Sequence, residues 1–257
     1  MIVAACAMAM AIAVALTGAT QPAPGTTSPD VVGGDVASIT DYPWVVALVD
    51  QGGFPICDGT LTSPTTVLTA AHCVLGRPAA AMQVVGGRTD LGQITPGETV
   101  SGVSDVWIPP TFVAAQRGQD IATVTLQDSF PYRTLPLATA ADTADYQAGT
   151  VGTVLGWGQV AGRSSDTTTA LRKAQVPVVA DQTCEDLYDR FLEGSAYDSA
   201  GMFCAGYTAP ALPEGTCIGN DGGPLVIDGK LAGIVSWRVG CGAYPDYYTK
   251  LSSYSAG

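Results

Sequence analysis

Three features of the sequence predict an all-β fold. Short runs rich in β-branched residues recur from Val31 onward, each bounded by Gly, Pro, Asp or Asn. Two apolar runs meet at Asp228-Gly229, a dipeptide suited to a hairpin turn because both positions tolerate positive φ. Only one segment has helical spacing. Eight or more short strands without alternating helices predict an antiparallel sandwich or a pair of barrels.

Taken in order, strands are predicted at "WVVALVD" (44–50), "TTVLTA" (65–70), "MQVVGG" (82–87) and "ETVSGVSDVWI" (98–108). They continue at "DIATVTL" (120–126), "GTVGTVLGW" (149–157) and "RKAQVPVVA" (172–180). The last two form the hairpin "LVIDGKLAGIV" (225–235), which runs on to Trp237. The helical segment is "DQTCEDLYDRFL" (181–192), with Asp181 as N-cap and Leu187, Phe191 and Leu192 at helical spacing.

The chain is 47% hydrophobic and 13% charged with 31 glycines, a composition that folds and turns often. Its formal charge is −12 and no Lys/Arg cluster occurs, which excludes nucleic acid as an expected partner. Residues 1–19 are apolar and end in small residues, so they read as a secretory signal peptide, although no Lys or Arg precedes the apolar run. Residues 20–30, rich in Pro, Thr and Ser, read as a propeptide or linker. The expected product is a secreted, extracellular monomer with no membrane attachment after signal cleavage.

Cys6 would leave with the signal peptide, and six cysteines remain: Cys57, Cys73, Cys184, Cys204, Cys217 and Cys241. An even number in an exported chain implies disulfides, but spacing alone does not choose the pairs. With no CxxC spacing and one histidine, neither a metal site nor a cofactor is expected.

The single histidine is His72, in "LTAAHC"; Asp120 follows in "GQDIATVTL", and a tight turn follows in "CIGNDGGPL" (217–225). Histidine, then aspartate, then a nucleophile turn is one chain order used for acyl transfer. No Gly-x-Ser-x-Gly turn of the esterase type is present.

With "VVGG" at 31–34, "TAAHC", "DIATVTL", "GWG" at 156–158 and "IVSW" at 234–237, the chain resembles the chymotrypsin/trypsin-like serine proteases, close to bacterial trypsin-like members. The resemblance spans 31–257 as one domain. It implies two six-stranded antiparallel barrels with the site in the cleft between them. It implies the disulfides Cys57–Cys73, Cys184–Cys204 and Cys217–Cys241. His72 matches the general base, Asp120 the residue that orients it, and Gly219 with the backbone of residue 221 the oxyanion hole. Gly215, Thr216, Ser236, Trp237, Arg238 and Asp246 match substrate-binding positions. Val31 matches the new N-terminus made on zymogen activation.

The departures are equally specific. Asp221 stands where the family has its nucleophilic serine, and the count from Cys217 to Pro224 leaves no room for a shift. Asn220 stands where the family has the aspartate that pairs with the Val31 ammonium. Gly215 replaces the acid of a trypsin pocket, while Asp246 and Arg238 replace glycines. Asp58, after Cys57, reads as drift. Asp30, not Lys or Arg, precedes Val31, so self-activation of tryptic type is not indicated. Two carboxylates beside His72 are expected to hold it as the imidazolium. The expected function is a pseudoprotease that binds peptides, proteins or a protease inhibitor. The alternative is a serine-type endopeptidase working through His72 and Asp120.

Overall fold

A computed structural model of the chain describes residues 34–158, 169–192, 197–208, 220–240 and 244–254. The expected signal peptide and propeptide, Val31, Gly215, Thr216, Gly219 and the Cys217–Cys241 pair all lie outside the described residues.

The first half of the chain closes a six-stranded antiparallel barrel. Its strands are β2 (Val45–Asp50), β3 (Pro55–Ser63), β4 (Thr66–Thr69), β5 (Met82–Gly86), β6 (Thr99–Trp107) and β7 (Ala122–Leu126), in the order β2-β3-β4-β7-β6-β5. Inward-facing Leu48, Leu61, Val67, Val84, Val103 and Val124 fill it. In β7 the pattern alternates strictly, with Ala122, Val124 and Leu126 buried between half-exposed Thr123 and Thr125, as one buried face requires.

The second half forms a sheet of six strands: β8 (Val151–Gly156), β9 (Arg172–Pro177), β10 (Met202–Ala205), β11 (Pro224–Ile227), β12 (Lys230–Trp237) and β13 (Asp246–Lys250). A two-residue strand near the N-terminus, β1 (Asp35–Val36), joins it beyond β9, giving the order β1-β9-β8-β11-β12-β13-β10. An antiparallel bridge between Val178 and Ala205 links the far ends of this sheet. Leu225, Val235, Phe203 and Tyr248 are among its core residues. The architecture is the expected all-β, trypsin-like double barrel.

The Asp228-Gly229 turn has φ of 48° and 72°, the doubly positive backbone that lets a two-residue loop follow the strand twist. Helix α1 (Ala71–Val74) follows β4 directly. The predicted helix is α2 (Asp181–Phe191), but its N-cap is Ala180, so Asp181 sits in the first turn rather than capping. There its charge still favours the helix N-terminus. The buried face also differs from the predicted one: Cys184 and Tyr188 are buried, while Phe191 is exposed. Cys184 is drawn inward by its disulfide to Cys204 on β10. A second disulfide, Cys57–Cys73, ties β3 to α1.

Candidate active site

Each candidate side chain is carried to the cleft by the end of a strand. β4 feeds α1 and His72. Asp120 lies in the loop just before β7. The turn Asn220–Gly223 precedes β11, Arg238 follows β12, and Asp246 opens β13. Strand ends are suited to this work because the sheets fix their positions while the connecting segments are free to carry functional side chains.

Asp120 is completely buried. Its Oδ1 accepts from the His72 backbone N–H at 2.9 Å, and its Oδ2 lies 2.7 Å from His72 Nδ1. Ser236 Oγ donates to the same Oδ2 at 2.6 Å, and Thr249 Oγ1 donates to the Asp120 carbonyl at 2.8 Å. Both ends of the aspartate are therefore fixed, and so is the ring orientation of His72. Ser236, a substrate-binding position by resemblance, has its hydroxyl on Asp120.

On the other side of the ring, His72 Nε2 lies 3.9 Å from Asp221 Oδ2. Arg238 Nη2 donates to Asp221 Oδ1 at 2.5 Å, and Arg238 Nε is 3.4 Å from Asp246 Oδ1. Asp246 is 1% exposed, Arg238 11% and Asp221 28%. A chain of alternating charge thus runs Asp120, His72, Asp221, Arg238, Asp246. Trp237 stacks flat on Tyr247 at 4.0 Å between centroids, with Tyr188 edge-on to both.

This arrangement sets the protonation states. Burial lowers the affinity of His72 for a proton, but the carboxylates of Asp120 and Asp221 outweigh it and push its pKa up to about 9. Burial raises the Asp221 carboxyl, yet His72 and Arg238 together hold it below the usual carboxylate range. At neutral pH the imidazole is a cation with no lone pair to accept a proton. The atom facing its Nε2 is a carboxylate oxygen that carries no proton to give. The arrangement holds charge in place, and among the described residues the group facing Nε2 is a carboxylate rather than the neutral alcohol on which an acyl-enzyme forms.

The turn itself demands glycine. Gly222 has φ of 79°, and a Cβ there would meet Thr69 Oγ1 at 2.2 Å and the Asp58 carbonyl at 2.4 Å. Asn220 Oδ1 accepts from Gly158 N–H at 2.7 Å. Beside it is a residue whose place in the site sequence reading missed. Asp58, on β3, is 2% exposed; its N–H donates to the Asp221 carbonyl at 2.8 Å, and its Oδ2 accepts from Trp157 N–H at 3.1 Å. The local sequence offers only an acid inside "CDGTL"; the partners that place it, Trp157 and the 220–221 turn, are far away along the chain.

Comparison with known proteins agrees with this geometry. The protein-family model described as Trypsin matches residues 31–256. A trypsin from Saccharopolyspora erythraea is 39% identical over 232 residues, covering 87% of this chain and 94% of that protein. Trypsin II-P29 from Gallus gallus is 29% identical over 240 residues, covering 92% and 91%. A domain match over nearly the whole described chain, on a double-barrel fold with His72 and Asp120 joined at the cleft, identifies the chain as a member of the trypsin family.

Proposed function

We propose that this chain is a secreted, catalytically silent or severely impaired member of its family that binds a peptide or protein segment, a protease inhibitor loop included. One observation carries the reading: residue 221 presents a carboxylate ion-paired to both Arg238 and His72 where acyl transfer needs a hydroxyl. A carboxylate attacking an amide would yield an anhydride, less stable than the amide it replaces. Its charge also opposes the oxyanion that develops on the substrate carbonyl. In serine proteases, loss of the nucleophile costs about 10⁶ in turnover.

The intact His72–Asp120 pair favours the alternative, a working endopeptidase, enough to require a direct test. The chain from Val31 onward is assayed against peptide esters and amides with and without a serine-directed phosphonate. No label-sensitive turnover is expected. Asp221→Ser alone leaves Arg238 across the cleft, so measurable rescue is expected only in Asp221→Ser/Arg238→Gly. Phosphonate-sensitive turnover by the unsubstituted chain would reject the proposal. Binding is read separately, by calorimetry against substrate-like peptides and protein inhibitors of trypsins.

A further inference from the structure

The carboxyl of Asp58 takes no part in the charge chain described above, and its surroundings call for a role. Its carboxyl is buried where the barrel meets the second sheet, and among the described residues no Lys, Arg or His forms an ion pair with it. One N–H, from Trp157, reaches Oδ2. The charged group that acts on it is Asp221, of like sign. A second acceptor converges on the same spot. A Cβ built at Gly156 would meet Asp58 Oδ2 at 2.2 Å and Asn220 Oδ1 at 2.5 Å. A buried carboxyl with a neighbouring amide oxygen and one N–H donor has no cation among the described residues; burial, helped by the like charge of Asp221, pushes it well above the carboxylate range.

The sheet register shows which cation can arrive. Val36 on β1 pairs with Arg172 on β9, and Arg172 pairs with Gly156 on β8, so the three residues lie in one row. At Val36 two strand spacings, about 10 Å, separate β1 from Gly156, and Gly34 lies two residues, about 7 Å, further along the line of β1. The chain is held at Gly34, whose carbonyl accepts from Arg172 Nη1 at 2.6 Å. Gly34 has φ of 42°, and a Cβ there would strike the Lys173 carbonyl at 2.4 Å, so the backbone turns tightly against β9. Three more residues toward the N-terminus span about 10 Å when extended, which ends the reach at Val31. Val31 is also where the family match begins. Val31-Val32 is apolar and suits burial, whereas Asp30 would bring a second carboxylate.

We propose that Asp58, with Asn220 as neutral neighbour, forms a buried ammonium site, and that its occupant is the α-amino group of Val31. A separate endopeptidase supplies this group: water adds across the Asp30–Val31 peptide bond, Asp30 leaves with the new carboxylate, and Val31 keeps the new ammonium. The negative charge that Asn220 lacks is then restored from β3, on the other side of the same turn. The Asp58–Asp221 backbone bond couples that charge to the turn carrying residue 221. This inference is independent of whether Asp221 permits catalysis.

The test uses the chain beginning at Val31, released from a fusion without leftover residues, beside the same chain with one added alanine before Val31. Cyanate labelling of the α-amine is read by mass spectrometry, and thermal midpoints are compared. The Val31 chain is expected to label about tenfold more slowly than a free N-terminus, the effect of a one-unit rise in amine pKa alone. It should also melt higher than the alanine-extended chain. Asp58→Asn should abolish both differences, and Asp58→Gly/Asn220→Asp should restore them. Equal protection in wild type and Asp58→Asn, or a Val31 amine that labels at the free rate in wild type, overturns the proposal. If Asp58→Asn does not fold, the comparison of wild type with Asp58→Gly/Asn220→Asp decides, because loss of protection in a folded double variant also overturns it.

Discussion

His72 lies 2.7 Å from one carboxylate and 3.9 Å from another, and its second partner is itself paired with Arg238. An NMR titration of the His72 ring should therefore give a pKa well above the ordinary 6.5. Asp221→Asn should bring it down, since one of the two carboxylates is removed. The pair Arg238–Asp246 makes a second test at this scale. Arg238→Gly removes a cation paired with the buried Asp246 carboxylate and should cost about 3 kcal/mol of stability. Arg238→Gly/Asp246→Gly removes both charges and should cost less than the single change, as urea unfolding would show. Most of these residues were legible in the sequence, because "TAAHC" and "GNDGGP" are read by spacing from a cysteine and a Gly-Gly-Pro. Asp58 was not, because its meaning depends on Gly156, Trp157 and Asn220, all distant in sequence.

Strands with alternating or β-branched patterns were legible as elements. β3 was missed because Pro55, Asp58 and Gly59 break it up with residues depleted in strands; pairing on both sides, with β2 and β4, makes it a strand. β1, β10 and β13 were also missed, being short or led by residues with weak strand preference. The Asp228-Gly229 turn was read correctly since its chemistry is local. Gly229→Ala, at φ of 72°, should destabilise the hairpin by about 1 kcal/mol, measurable as a lower melting temperature. The α2 face was misread because helical spacing cannot report a covalent tether. Removing that tether with Cys184→Ala/Cys204→Ala should cost about 2–4 kcal/mol and speed hydrogen exchange first in α2 and β10.

The two halves of the molecule meet along the row of residues that the site uses, so the charge state of the cleft enters the stability of the whole. His72 binds its proton more tightly in the folded chain, at about 9, than in the unfolded chain, at 6.5. Its stabilising contribution is complete below about pH 6.5 and is lost as pH rises through about 9. Urea unfolding across that window should show stability falling with pH, and Asp221→Ser should flatten the slope. The double-barrel plan followed from strand number and the resemblance together; how the halves dock did not, because no local pattern encodes it. The flat Trp237–Tyr247 stack, beside the arginine that joins Asp221 to Asp246, has one last consequence. An indole held against a phenol, one residue from a displaceable guanidinium, changes its emission when that guanidinium is pushed aside. The molecule carries its own optical gauge of occupancy, so visitors to the cleft are countable by fluorescence whether or not any product leaves it.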